Sequence, residues 1–369
     1  MNRLSTLVRG AGGVLLGALV VWGAGLLVQC AQPAQTRIVP DSPGDLSRAV
    51  IHYDPRAHNA VAATYHALMA ALPPETELRV VVESQDHFER FAAAFHPPRS
   101  TRAVVIGKPV TTWSRDRYTL LERTDGTRVL LVPPQKTEIV PARAHDWLAP
   151  WRIAEAAGNI EIVETEFDFD GGDLIAHEDV VFADANLVRK NPDLFPNPAA
   201  VAQRLTALLG QPVVVLGATA DDVPHHHIGM YLTPLPNGAV AVGSPALAFE
   251  LLGPEGLERM AAELAQDGLP AIDFRPETAH RFDAPARQLE ELGYRVVRLP
   301  LLPLDDHVTF VTFNNGVFHG DRFLMPAYGT SLDADAAQRL ADEGLTVVPI
   351  PVRDIFRHHG SVRCLLNRL

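Results

Sequence analysis

From residue 49 onward, short apolar runs alternate with segments whose apolar positions recur every three to four residues, the mark of strands interleaved with amphipathic helices. Residues 49–53 read as a strand, 59–72 as a helix and 78–82 as a second strand. A longer unit then begins. Residues 118–122 and 128–132 flank the turn Thr124-Asp125-Gly126 as a hairpin, followed by a helix within 142–157 and a strand at 160–164. The same order returns as 174–176 and 180–183, a helix over 198–209 with proline at its start, and the apolar strand 213–216. A third round runs 230–234, the turn Pro236-Asn237-Gly238, 239–242, a helical region in 254–267, an extra helix at 284–292 and a strand at 294–299. The fourth comprises 308–312, 322–325, a helix in 334–343 capped by Asp333, and a strand at 346–350.

The first three hairpins open at Tyr118, Leu174 and Met230, at equal intervals, so a β-β-α-β unit recurs. The early β-α-β piece lacks its opening strands, and residues 361–366 could supply one. Five such units, over residues 49–369, would close into a ring with Cys364 pointing toward its axis.

The N-terminal pattern differs. Arg3 and Arg9 precede an uninterrupted apolar and small-residue run over 10–28, and no Lys or Arg follows until Arg37. That charge bias predicts an exported protein with a signal peptide or membrane-anchor helix over residues 1–30. The run exceeds the roughly 7–15 residues of a cleaved signal's hydrophobic core and falls just short of the ~20 that span a bilayer comfortably. Leu27-Val28-Gln29-Cys30 resembles the lipobox of bacterial lipoproteins, with Gln29 where a small residue is usual. Secretion, lipidation and retention as an anchor all stay open, placing the body in a bacterial periplasm or at the cell surface. Residues 31–48, with Pro33, Pro40 and Pro43 among polar residues, read as a linker.

The chain's 369 residues are 47% hydrophobic and 21% charged, enough for one large core or two moderate ones. A net charge of −12 without any Lys/Arg-rich block argues against nucleic acid as a partner. It suits a cationic or neutral ligand, and equally plain solubility. The membrane is expected to be met through the N-terminal segment only. Of the 2 cysteines, Cys30 lies in the leader, which leaves Cys364 as the one cysteine of the body.

Polar motifs sit at equivalent places in the repeat. Trp113-Ser114-Arg115-Asp116 precedes the first hairpin, Phe169-Asp170-Gly171-Gly172-Asp173 the second, and His225-His226-His227 the third, while Asn314-Asn315 ends a strand of the last. In a ring, residues at one structural offset converge on a central cavity. Each motif also has a plainer reading: Asp116 as an ion-pair partner of Arg115 or Arg117, residues 170–173 as a tight turn, the histidines as a solvated loop. Neither a metal nor a cofactor is expected, because no Cys or carboxylate stands at ligand spacing from the three histidines.

Taken in order, Trp113-x-Arg-Asp116, Phe-Asp-Gly-Gly-Asp173, His227 ahead of Met-Tyr-Leu-Thr-Pro234, Phe-Asn-Asn315 and Gly-Ser-Val-Arg-Cys364 resemble the guanidino-group-modifying pentein superfamily. The resemblance is to the branch of agmatine deiminases and porphyromonas-type peptidylarginine deiminases, over about residues 49–369. It implies an α/β five-bladed propeller of pseudo-fivefold symmetry, in agreement with the repeat, and a cofactor-free hydrolase acting on peptidyl-arginine, agmatine or a methylated arginine. Cys364 would be the nucleophile, His227 the general acid and base, Asp170 the residue orienting His227, and Asp116 a clamp on the guanidinium. Trp113, Arg115, Asp173 and Asn315 would contact substrate. Two departures stand out: the resemblance leads one to expect His-x-Asp, but the chain reads His227-Ile228-Gly229, and Asp116 is followed by Arg117-Tyr118-Thr119 rather than an aromatic-Gly-Pro run. The loss of a clamp at Gly229 keeps a second reading open, a binding module for guanidino compounds or for a protein partner. A carboxylate from elsewhere is not expected to replace that clamp fully, and Asp305-Asp306 is the best candidate for compensation.

Overall fold

In the computed structural model, which describes residues 36–135 and 141–369, the repeating unit takes shape as an antiparallel strand pair, a helical crossover, and a third strand parallel to the second. Among the described residues the strands form five small sheets. In the first, Thr119–Arg123 and Arg128–Val132 pair antiparallel, and the helix Leu148–Ala157 carries the chain to Ile160–Glu164. The second contains Ile175–Ala176, Val181–Asp184 and Val213–Leu216. The third contains Leu232–Pro234, Val240–Ser244, Val296–Pro303 and Phe310–Thr312. The fourth contains Val317–His319, Arg322–Ala327 and Thr346–Pro351. In the fifth, Asn367–Arg368 from the chain's end pairs with Arg48–His52, beside Glu77–Val82 and Arg102–Val105.

Local chemistry sets the crossovers. The helix Pro198–Leu209 starts where the Asn197 side chain accepts the Ala200 N–H and proline fixes the first turn, and it stops at Gly210, whose φ of 65° an L side chain resists. Ser244 caps Pro245–Gln266 in the same way, but Gly253 (φ 60°, ψ 179°) followed by Pro254 breaks that helix midway.

Three expectations need correction. The strand expected over 361–366 is a short helix, Val362–Leu365, and the closing strand comes from Asn367–Arg368 instead. Phe310–Thr312 does not open the fourth unit; it pairs back onto Val296–Pro303, and Val317–His319 is the true partner of Arg322–Ala327. Asp333 lies inside the helix Ser331–Asp342, where its carboxylate accepts the N–H groups of Tyr328 and Gly329.

The expected linker also ends early. Residues 1–30, the expected leader, and 31–35 lie outside the described residues. From Thr36 on the chain belongs to the body: Thr36–Ile38 adds an edge strand to the first sheet, and Asp41, 5% exposed, is buried. Pro40 and Pro43 do not make this stretch a tether, because Asp41 sits among three buried guanidiniums, those of Arg115, Arg363 and Arg368. Among the described residues, no helix is long and apolar enough to cross a membrane.

Candidate active site

Four loops, each leading into or out of a strand, are tied to one another through their backbones. The Gly171 N–H donates to the Asp116 carbonyl at 3.0 Å, Arg115 N–H to the Cys364 carbonyl at 3.3 Å, and Arg363 N–H to the Asn315 carbonyl at 3.0 Å. The Asn315 side chain adds a bond from its Nδ2 to the Gly229 carbonyl at 3.3 Å. These bonds bring the four expected catalytic residues into one neighbourhood.

Cys364, 5% exposed, donates from Sγ to the Asn315 Oδ1 at 3.4 Å. His227 pairs with Asp170 through Nε2 at 3.3 Å, while its Nδ1 is buried without a hydrogen-bond partner. Burial alone would push the imidazole pKa down. The hydrogen bond with Asp170, the nearby Cys364 and the charges of Asp173 and Asp116 outweigh it and hold the His227 pKa well above its ordinary value. Asp170 responds in the opposite sense: burial would raise it, but Lys190, 2.8 Å away, and His227 hold it well below the usual carboxylate range.

The two glycines between the acids do different work. A Cβ at Gly171 would lie 2.3 Å from the carbonyl oxygens of Arg115 and Tyr118, and one at Gly172 would lie 2.4 Å from the His227 Nδ1. The first lets two loops touch backbone to backbone; the second lets the imidazole lie flat against the 170–173 turn.

The three histidines part company. The His226 Nδ1 accepts the His227 N–H at 2.7 Å and its Nε2 faces the His359 carbonyl at 2.8 Å, which fixes the neutral ring with the proton on Nε2. Burial and the charge of His227 push its pKa down to about 3. His225 faces Asp221 at 3.7 Å. Among the described residues there is no group of three side chains suited to hold a metal ion.

Of the expected substrate contacts, Asn315 touches the Cys364 thiol and half-buried Trp113 packs against the cluster containing Cys364, its ring where a Cβ on Gly360 would be. The other two are engaged elsewhere. Arg115 donates to the Gly171 carbonyl, to Asn367 and to Asp41, so its guanidinium is part of the scaffold. Asp173 accepts from Lys190 at 2.5 Å and from the Asp170 N–H at 2.7 Å, closing its own turn. Asp116 is buried, and Arg143 reaches its Oδ2 at 2.7 Å, leaving Oδ1 without a partner. Burial raises its pKa, and Arg143 opposes the rise.

The space beside Gly229 is neither acidic nor open. A Cβ there would stand 2.8 Å from Nη1 of Arg363, whose Nη2 is held by Asp41 and the Leu174 carbonyl. Asp306 caps its own turn through Val308 and Thr309, and Asp305 lines a surface hollow with Asp273 and Arg275, so neither candidate is seen to compensate. Arg143, Lys190 and Asp41 stand outside every motif, while Arg363 lies within Gly-Ser-Val-Arg-Cys364, which does not show its partner. Only the principle that buried acids require cations could have prompted a search for them.

No family model and no curated protein sequence matches the chain. Among solved structures, the agmatine deiminase of C. jejuni superposes with a TM-score of 0.68 at 15% identity, over 91% of this chain and 96% of that one. The agmatine deiminase of Enterococcus faecalis does so with a TM-score of 0.65 at 14% identity, over 90% and 95%. The chain therefore has the α/β pentein fold that its motifs led one to expect.

Proposed function

From that shared fold and the geometry around Cys364, we propose a cysteine-dependent hydrolase acting on a guanidino group, with the five sheets as blades of a propeller and Cys364 near its axis. The observation that carries the reading is His227 paired with Asp170 at 3.3 Å beside Cys364, an arrangement that raises the imidazole pKa. A guanidinium is a poor electrophile because its charge is delocalised, so attack on it demands a thiolate, and a neighbouring cation favours that form of a cysteine. Cys364 adds its sulfur to the guanidine carbon, His227 gives its proton to the departing ammonia, or to the alkylamine where a methylated arginine is the substrate, and an S-linked thiouronium remains. Water then attacks that carbon while His227 takes a proton, the C–S bond breaks, and a ureido product leaves. Asp116 holds guanidinium nitrogens during both steps. Peptidyl-arginine, agmatine and methylated arginines are the candidate substrates, met by an exported protein outside the cytoplasm.

The test is ureido-product formation by the purified protein across a panel of these guanidines. Turnover of at least one, abolished in Cys364→Ala, supports the reading; no difference between parent and variant on any of them removes it. The second reading, a pentein that binds without turnover, draws on Arg363 filling the space beside Gly229. It predicts that Cys364 reacts with iodoacetamide no faster than a free thiol.

A further inference from the structure

We propose that Arg143 is a specificity-determining residue of this site: its guanidinium is the resident occupant of Asp116, and a guanidine substrate binds by displacing it. This rests on the hydrolase reading for what the substrate is, but the occupancy itself is structural. The Nη2 of Arg143 lies 2.7 Å from the Asp116 Oδ2, and its Nε lies 3.6 Å from the Asp146 Oδ2. Asp146 is fully buried and accepts the Thr111 N–H at 2.8 Å and the Thr111 hydroxyl at 2.5 Å, so it is a fixed anchor. The Arg143 side chain is 25% exposed whereas that of Asp116 is 6% exposed, so the arginine covers the acid from the wetter side. It comes from a short turn, Pro141–Arg143, rather than from a strand or long helix.

The chemistry makes the contact specific. A carboxylate that is to grip a substrate guanidinium side-on needs both oxygens, and here one oxygen is taken by a guanidinium of the chain itself while the other is unpartnered. A second guanidinium added alongside would face the like charge of Arg143. Displacement leaves Arg143 with Asp146, so the exchange does not strand a buried cation. The affinity for any guanidine is then measured against Arg143, which disfavours a small bare guanidine relative to one with further contacts.

The test compares alkylation of Cys364 by 2-chloroacetamidine, a small cation, and by iodoacetamide, which is neutral. Both form a thioether and release halide, and both report on the same thiol; only the cation competes for Asp116. Arg143→Gln is expected to raise the ratio of the two second-order rates about fivefold, the scale of a partly exposed ion pair. Arg143→Lys, which keeps the charge but loses the fork, is expected to raise it less. A ratio unchanged or lowered in both variants overturns the proposal, whatever the fate of the hydrolase reading. Should Cys364 be unreactive in all three proteins, the hydrolase reading is what fails. Occupancy of Asp116 is then read from thermal stabilisation by millimolar agmatine, expected to be larger in Arg143→Gln than in the parent. Equal stabilisation, or none in either, overturns the proposal.

Discussion

Replacing Asp41 by Asn removes one carboxylate from a buried group of three arginines. Asp41 takes charge-assisted contacts from Arg115 at 3.3 Å, Arg363 at 3.3 Å and Arg368 at 3.2 Å, and it accepts the Ala176 N–H at 2.9 Å. Burial would raise its pKa, but the three guanidiniums hold it far below the usual carboxylate range. Removing one partner of a buried ion pair costs about 3–5 kcal/mol, because charge is left uncompensated. For a body of this size, with an unfolding entropy of about 2 cal/mol/K per residue, that corresponds to a fall in Tm of about 4–7 °C. The sign with pH follows from the depressed pKa. The Asp41 contribution is complete above its unfolded value of about 4 and is lost as pH falls below it, so the gap between parent and Asp41→Asn narrows on acidification. The assay is thermal unfolding followed by circular dichroism at several pH values, repeated in an Arg368→Met background. There, with one cation fewer to compensate, Asp41→Asn is expected to cost less by about 1 kcal/mol or more. A Tm within about 1 °C of the parent, or strict additivity with Arg368→Met, would falsify the account. The consequence reaches the site: Arg363 is the neighbour of Cys364 and Arg115 that of Asp116, so the same substitution is expected to lower any turnover.

Two further outcomes are expected. Gly172→Ala pushes a Cβ onto the His227 ring, 2.4 Å from Nδ1, and is expected to cut turnover about a hundredfold with a modest change in stability, the scale for misplacing a catalytic group by about 1 Å. Gly171→Ala meets backbone carbonyls that cannot yield, so urea unfolding is expected to show the larger loss of stability there; equal losses in both variants would contradict the separation of roles. Asp184, accepting the Tyr231 hydroxyl at 2.9 Å and the Asn186 N–H at 3.0 Å, has its pKa pushed up to about 7 by burial and by the charge of Asp173. Its contribution is complete below about 4 and lost as pH rises through about 7, by a few kcal/mol at most, so Asp184→Asn is expected to flatten that part of the stability profile. Chemical denaturation between pH 5 and 8 measures it, and parallel profiles for parent and variant would count against a protonated Asp184.

What could be read from the sequence depended on how local its cause was. The helix Pro198–Leu209 and the strands Ile160–Glu164 and Val213–Leu216 fall where their caps, turns and apolar spacing put them. Phe310–Thr312 was misassigned because its apolar run suits either neighbour, and pairing with Val296–Pro303 is decided by register across the sheet. The site divides along the same line. Cys364, His227, Asp170 and Asp116 stand in the ordered motifs that carry the resemblance, and the structure brings them into one neighbourhood. For Arg115 and Asp173 the sequence shows a charge without its partner. Arg115 belongs to Asp41 and Asp173 to Lys190.

The cations left unread share a pattern that bears on what the site can bind. Asp116 carries Arg143, Asp170 and Asp173 share Lys190, and Arg363 stands against Gly229, where the motif resemblance had called for an acid. A pocket lined by free carboxylates would attract any small cation. Here the acids are balanced by cations of the chain itself, so on the hydrolase reading a guanidine gains little from charge alone and must win by shape, by fork-like hydrogen bonding and by contacts away from the guanidinium. Selectivity among guanidines is therefore expected to follow the part of the ligand that lies beyond the guanidino group.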